Sequence, residues 1–105
     1  MLTAALGLGL ALPGAAGSAS GDRRVVLEDI AFAPETVRVK RGARVTWVWR
    51  DGATPHDVRS RGRPRFRGTG ARTQGRHTVR FTKQGTYRYV CTIHPLAMSG
   101  RVVVR

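Results

Sequence analysis

The sequence predicts an all-β sandwich or barrel. Short apolar stretches rich in β-branched residues recur about every 8–12 residues, with Gly and Pro turn signals between them. Stretches such as Thr36-Val-Arg-Val-Lys alternate apolar and basic side chains, which is typical of a strand with one buried face. No segment keeps a helical period, and no internal repeat is visible. These observations indicate one small all-β domain.

The first half of the domain contains three predicted strands. In the third, Val45, Trp47 and Trp49 share one face, so we expect both indole rings in the core, where each N–H needs a hydrogen-bond partner. The alternative is that one tryptophan lines the surface. The predicted strands cover residues 24–30, 36–40 and 44–49, and a bend is predicted over residues 32–35.

The second half begins after a turn cluster at residues 51–55, which precedes His56. A stretch rich in Gly and Arg, residues 60–76, is predicted to be a loop that Phe66 anchors to the core. Tyr87 occupies a position where Greek-key sandwiches often place a tyrosine whose hydroxyl binds nearby backbone. Extended segments are predicted over residues 56–59, 77–81, 86–91 and 100–105.

The N-terminal residues differ in composition from the rest. Residues 2–12 are apolar, small residues follow, and no charged side chain precedes Asp22. We therefore expect residues 1–20 to be a secretory signal peptide and residues 21–105 to be the mature domain, located in the periplasm or outside the cell. The apolar run is too short to span a bilayer. A disordered tail rich in Ala and Gly is the alternative.

The single cysteine, Cys91, excludes an internal disulfide, so an exported domain needs another reason to keep a thiol. His94 and Met98 follow it closely in the chain, and His56 lies upstream after a proline. Two imidazoles, a thiolate and a weak thioether form the ligand set of a blue-copper electron-transfer site. We therefore predict one copper ion bound by His56, Cys91, His94 and Met98.

These residues and their surroundings resemble the cupredoxins, most closely the small amicyanin, plastocyanin and pseudoazurin group. The resemblance covers residues 24–105 and implies a Greek-key β-sandwich of about seven to eight strands with one type 1 copper ion that alternates between Cu(I) and Cu(II). The motifs that carry it are Cys91-x-x-His94-x-x-x-Met98, the flanking Gly85-Thr-Tyr-Arg-Tyr-Val and Ser99-Gly-Arg-Val-Val-Val, Val45-Thr-Trp-Val-Trp and Pro55-His56.

One residue departs from the family pattern. The resemblance implies hydrogen bonds between the residue after His56 and the backbone around Thr92, which orient the ligands. The family usually has Asn at that position, and this chain has Asp57. An ionised carboxylate accepts hydrogen bonds but does not donate them. The usual link between the two ligand segments is therefore in doubt, and we expect an altered reduction potential or a looser site.

Other interpretations of these residues stay open at this point. A structural zinc site, a role without metal, and a cysteine nucleophile with a histidine base are each conceivable. Zinc sites rarely use a thioether, however, and nothing in the sequence resembles an oxyanion hole or a third orienting group. We therefore do not predict an enzyme. His77 shares a strand face with Val79 and Phe81, so we expect it to be a partly buried or rim histidine and not to bind the metal.

The formal net charge is +13, and residues 58–105 contain eleven Arg and one Lys but no acid. The positive electrostatic field of such a chain attracts anionic partners, and this attraction weakens as the salt concentration rises. We expect redox partner proteins with acidic surfaces; an anionic membrane or cell-wall surface and a merely solvated basic face are the alternatives. The export signal and the lack of interleaved aromatic and basic residues argue against nucleic acid.

Together these features predict an exported, monomeric type 1 copper protein that carries single electrons between larger redox proteins. By resemblance, the uncharged residues around His94 and His56 are where such partners dock. Two alternatives remain. One is a copper-delivery protein that uses the same ligands without redox turnover, and the other is a basic module that adheres to polyanions.

Overall fold

The computed structural model describes residues 21–105, and the predicted signal peptide at residues 1–20 lies outside this range. The described residues form strands and no helix, which confirms the all-β prediction and leaves no segment there that could cross a membrane as a helix. The strands are β1 (Arg23–Leu27), β2 (Phe32–Ala33), β3 (Thr36–Val39), β4 (Ala43–Trp49), β5 (Arg59–Arg61), β6 (Arg76–Phe81), β7 (Gly85–Val90) and β8 (Ser99–Val104).

The strands form two mixed four-stranded sheets. The first has the order β2-β1-β4-β6, and the second has the order β3-β8-β7-β5. Strand β1 runs parallel to β4, and β3 runs parallel to β8, while the other neighbours are antiparallel. The chain passes between the sheets repeatedly, as in the sandwich that the strand spacing predicts.

Alternate residues of both sheets face inward and form one apolar core. Trp47 lies at its centre and is fully buried, together with inward residues of the neighbouring strands. The Tyr89 ring packs edge-on against the Trp47 ring at a centroid distance of 5.4 Å, and the Phe66 ring stacks on it at 5.5 Å. Phe66 therefore anchors the 60–76 segment to the core, as predicted.

Some of the indole N–H and tyrosine hydroxyl groups in the core have hydrogen-bond partners, and others do not. The Trp49 indole N–H donates to the His56 carbonyl at 2.9 Å, and the Tyr87 hydroxyl donates to the Lys83 carbonyl at 2.7 Å, as predicted for both. Within residues 21–105, neither Trp47 Nε1 nor the Tyr89 hydroxyl has a hydrogen-bond partner. Burial raises the pKa of Tyr89 to about 12, so this hydroxyl stays protonated at physiological pH.

The prediction for residues 24–35 is wrong in two places. Strand β1 ends at Leu27, because the chain turns at residues 28–31, where Asp29 and Ile30 have positive φ angles of 55° and 52°. The predicted bend at residues 32–35 begins with β2, which pairs with β1. Positive φ is unfavourable for a β-branched residue such as Ile30, so the sequence gives no signal for this turn.

The prediction for residues 56–76 also needs correction. The strand β5 lies at Arg59–Arg61, partly inside the predicted loop, and pairs with β7. His56 and Arg72 exchange two backbone hydrogen bonds of 3.0 and 3.1 Å in an isolated bridge. Glycine and arginine dominate this segment, and neither residue type predicts a strand. The pairing with β7 is therefore apparent only in the folded structure.

Gly68 provides a test of how tightly this segment packs. A Cβ atom at this position would overlap the Val58 carbonyl oxygen, which already accepts a 2.8 Å hydrogen bond from the Thr69 N–H. We expect Gly68→Ala to lower the free energy of unfolding by about 1–3 kcal/mol, measured by urea titration. Gly70→Ala is the control, because no atom lies within 4 Å of a Cβ built there. Equal losses in both variants would contradict the close packing.

Candidate metal centre

The four predicted ligands come from two connections at one end of the sandwich. Cys91 directly follows β7, and His94 and Met98 lie in the loop between β7 and β8. His56 lies between β4 and β5, where the chain passes from the first sheet to the second. The fold therefore brings a segment from each sheet to the same place.

The ligand atoms of these segments converge. Cys91 Sγ lies 3.9 Å from His56 Nδ1 and 3.7 Å from His94 Nδ1, and the three atoms all lie within 4.8 Å of one another. Metal–nitrogen and metal–sulfur bonds of about 2.0–2.3 Å would span separations of this size. His56 and Cys91 are fully buried, and His94 is half-buried. Elsewhere in residues 21–105, no similar group of His, Cys, Asp and Glu occurs, and His77 is not part of this one.

Backbone hydrogen bonds within the loop hold Met98 beside the other ligands. The Cys91 N–H donates to the Met98 carbonyl at 3.1 Å, and the Met98 N–H donates to the His94 carbonyl at 2.9 Å. The Met98 side chain is fully buried in the same apolar cluster as Cys91. Met98 is therefore buried next to the other ligands in the chain fold, and all four predicted ligands share this end of the molecule.

Asp57 joins the two ligand segments, so the link that the sequence put in doubt is present. Its Oδ1 accepts a 2.7 Å hydrogen bond from the Thr92 N–H, and its Oδ2 accepts one from the Thr92 hydroxyl. Both donors come from Thr92, so a group that only accepts hydrogen bonds is sufficient here. Asp57 is buried, and Thr92 directly follows Cys91, so the link fixes His56 relative to the loop.

Asp51 belongs to the site, although its sequence context predicts only a turn residue. Its Oδ2 lies 2.7 Å from His56 Nε2. An ionised carboxylate only accepts hydrogen bonds, so this contact assigns the proton of neutral His56 to Nε2 and leaves Nδ1 free to bind a metal. The sequence did contain one signal for this role. Metal-binding histidines commonly donate their second N–H to a carboxylate, and Asp51 lies shortly before the predicted ligand His56.

The same carboxylate also supports the turn after β1. Asp51 Oδ1 accepts a hydrogen bond from the Asp29 N–H at 3.1 Å, and Oδ2 accepts one from the Ile30 N–H at 3.0 Å. The hydrogen bond with His56, followed by those from the Ile30 and Asp29 amides, lowers the pKa of Asp51 below its usual value. The carboxylate is therefore ionised at neutral pH, as both the turn and His56 require.

The chemistry of this donor set fits copper. Two neutral imidazoles, one thiol that binds as thiolate and one thioether are soft or borderline ligands. A thiolate as deeply buried as Cys91 is costly without a positive charge beside it, and a bound metal ion supplies that charge. Structural zinc sites use thiolate, imidazole and carboxylate ligands, and the thioether of Met98 has no place in them.

The whole described domain matches one protein family. Residues 21–105 match the family described as copper binding proteins, plastocyanin/azurin family. The chain belongs to this family. The cofactor is therefore copper, and His56, Cys91, His94 and Met98 form a typical type 1 copper site.

Individual relatives show how close the similarity is. The chain is 37% identical to amicyanin-alpha of Methylorubrum extorquens over 106 residues, which cover 97% of this chain and 87% of that protein. It is similar to the Cu(I) structure of an amicyanin mutant, with a TM-score of 0.72, 32% identity and coverage of 87% of this chain and 89% of that one. It also resembles part of the Cu-containing nitrite reductase from Thermus scotoductus, with a TM-score of 0.71, 27% identity and coverage of 80% of this chain and 22% of that one.

The contact between Asp51 and His56 predicts how strongly the site binds copper. We expect Asp51→Asn to weaken copper binding by about 10–100-fold, because an amide orients the imidazole less firmly than an ionised carboxylate does. Competition with a chelator of known affinity measures this loss. Asp29→Asn is the matched control, since it removes a carboxylate in the adjoining turn and leaves the His56 partner in place. If both variants bind copper equally well, Asp51 does not position His56.

The link between Asp57 and Thr92 predicts a graded effect on stability. Asp57→Ala removes the acceptor of two part-buried hydrogen bonds from Thr92, so we expect it to lower the free energy of unfolding by about 1–2 kcal/mol. Asp57→Asn keeps one carbonyl oxygen for the Thr92 N–H and should cost much less. Denaturant unfolding of the copper-free protein measures both. An Asn variant as unstable as the Ala variant would show that the ionised carboxylate itself is required.

Proposed function

We propose that this protein is an exported electron carrier that passes single electrons between redox proteins through one copper ion held by His56, Cys91, His94 and Met98. The convergence of Cys91 Sγ with the Nδ1 atoms of His56 and His94 supports this proposal most directly. Copper bound there would supply a one-electron couple, Cu(I)/Cu(II), in the ligand set of blue-copper electron-transfer proteins.

The rigidity of the ligands favours an electron carrier over a copper-delivery protein. His56, Cys91 and Met98 are fully buried, and the links through Asp51 and Asp57 hold the imidazole and the loop in place. A fixed ligand set suits repeated electron transfer, because little has to move between oxidation states. A delivery protein has to open its site to release copper, and such opening would break these hydrogen bonds.

The number of ligands also favours a carrier over an enzyme. Catalytic metal sites keep an open position for water or substrate. Four side-chain ligands leave no such position here. The nitrite reductase that shares this fold is far longer than the present chain, so its similarity extends only to a cupredoxin unit. We propose that this chain carries electrons and that its partners perform the chemistry.

An apolar surface surrounds the proposed exit for electrons. Ile93 and Leu96, in the ligand loop, are exposed, and Leu96 is completely so. Ile30, also exposed, lies in the turn that Asp51 holds, and is thereby connected to His56. These three are the large exposed apolar residues of the described chain. Ile93 and Leu96 lie in the same loop as the half-buried His94, which suits a partner that docks there and exchanges electrons through the imidazole.

The location and the partners follow from charge and from the N-terminal residues. We propose that residues 1–20 direct export, so that the mature domain works as a monomer in the periplasm or outside the cell. Residues 58–105 contain eleven Arg and one Lys without an acid, which suits partners with acidic surfaces. N-terminal sequencing of the exported protein tests the cleavage, and gel filtration tests the monomer.

The visible spectrum of the Cu(II) protein tests the proposed function. We expect one equivalent of Cu(II) to produce an intense absorption band from charge transfer between the thiolate and copper. Cys91→Ala should abolish this band, because no other thiol is present in the chain. Met98→Leu is the control: it keeps the thiolate and both imidazoles, so the band should remain while the reduction potential changes.

Two results would contradict the electron-carrier proposal. One is a colourless protein that binds zinc in preference to copper. The other is a blue protein that loses its copper to an acceptor chelator within a few cycles of reduction by ascorbate and oxidation by ferricyanide. The second result would favour the copper-delivery alternative, whereas an unchanged copper content over many cycles supports the carrier.

A further inference from the structure

The outer face of the second sheet carries three arginines in register. Arg61 on β5 pairs with Arg88 on β7, and Arg88 pairs with Arg101 on β8. Directly paired residues point to the same side of a sheet, so these side chains form one line across three strands, here termed the arginine row. Neighbouring strands are about 4.8 Å apart, so the row starts from backbone positions within about 10 Å.

No ion pair within residues 21–105 involves the arginine row. All three side chains are exposed, and no carboxylate of residues 21–105 lies within ion-pair distance of them. Arg101 Nε donates a 3.1 Å hydrogen bond to the Thr36 hydroxyl on β3, which holds one end of the row. Like charges directly opposite each other destabilise a sheet. A bound anion would remove this repulsion, so the arrangement favours an anionic ligand.

The arginine row lines a groove that reaches the copper end of the molecule. The groove has a volume of about 470 Å³, and Pro95, which directly follows the ligand His94, forms part of its wall. Ser99 and Gly100 at the start of β8 also contribute, so most of the groove is built on strands. Glu35 is the one acidic residue that lines it. The groove therefore joins a rigid cationic surface to the apolar loop around His94.

We propose that the arginine row binds an acidic segment of the electron-transfer partner through the carboxylates of that segment. This proposal rests on the proposed function and names where the partner is recognised. A partner seated on Leu96 and Pro95 would place its flank over the groove. Guanidinium groups bind carboxylates through paired, planar hydrogen bonds, which gives such a row specificity as well as charge.

The shape of the surface favours a polypeptide over a membrane. An extended acidic segment can enter a groove and place successive carboxylates along a line of guanidinium groups. A bilayer surface is nearly flat at this scale and cannot follow the concave wall between Arg61 and Arg101. The hydroxyls of Thr36 and Ser99 in the wall offer further polar contacts to a peptide.

Peptide binding by the copper-loaded protein tests the proposal. The probe is an N-acetylated peptide of eight glutamates, titrated at low ionic strength by calorimetry. The variant Arg61→Gln/Arg88→Gln/Arg101→Gln should weaken binding by about tenfold, because each exposed ion pair contributes a few-fold. The control Arg24→Gln/Arg44→Gln/Arg76→Gln changes the net charge equally on the opposite sheet, and should weaken binding about threefold or less.

Two further variants strengthen this test. Glu35→Gln removes the one carboxylate that lines the groove, so it should tighten peptide binding. The single variant Arg88→Gln removes only the central member of the row and keeps the test valid if the triple variant does not fold. In the unchanged protein, the peptide should shift the NMR signals of the row and not those of the control arginines.

The blue absorption band separates failure of this proposal from failure of the proposed function. Both triple variants keep all four copper ligands, so both should be blue. Equal weakening of peptide binding by the two triple variants would overturn the arginine row as a specific site. Row-dependent binding to vesicles of phosphatidylglycerol and phosphatidylcholine without row-dependent peptide binding would overturn the acidic partner in favour of a membrane. Absence of the blue band in the unchanged protein would instead refute the electron-carrier function.

Discussion

Two hydrogen bonds from Thr92 to the Asp57 carboxylate connect segments that leave different sheets, and the metal centre depends on this connection. His56 comes from the passage between the sheets, whereas Cys91 and His94 come from a loop within the second sheet. The apolar core holds the two sheets against each other, but it does not set the positions of the connecting segments at the end of the sandwich. The polar link at the end of the sandwich orients the two ligand segments relative to each other.

Two of the few acids of this basic chain position the ligand segments. Asp51 and Asp57 are two of only six acidic residues, and each accepts hydrogen bonds that position a ligand segment. Asp51 also holds the turn at Asp29 and Ile30, where the backbone is in an unfavourable conformation. One carboxylate thus connects the first hairpin, the ligand His56 and an exposed apolar side chain at the same end.

The sequence was informative wherever a residue's role depends on its own chemistry or on the period of its strand. A lone cysteine followed by His94 and Met98 predicts a soft metal site, and alternating residues around Trp47 predict a buried strand face. The sequence did not predict features that depend on contacts formed only in the folded chain. The β1–β2 turn and the strand at residues 59–61 depend on contacts with segments about 20 or more residues away. Asp51 lies only five residues before His56, but the direction of its side chain is decided by the folded turn.

The sequence by itself therefore determined the all-β class, the copper ligands and the strongly basic character of the second half. Only the tertiary structure decided that Asp57 can replace the usual Asn, that Asp51 orients His56, and that three arginines align beside a groove. Side-chain periodicity and ligand chemistry are local properties of the chain. Register and hydrogen-bond direction arise only when separate segments meet, so no local pattern encodes them.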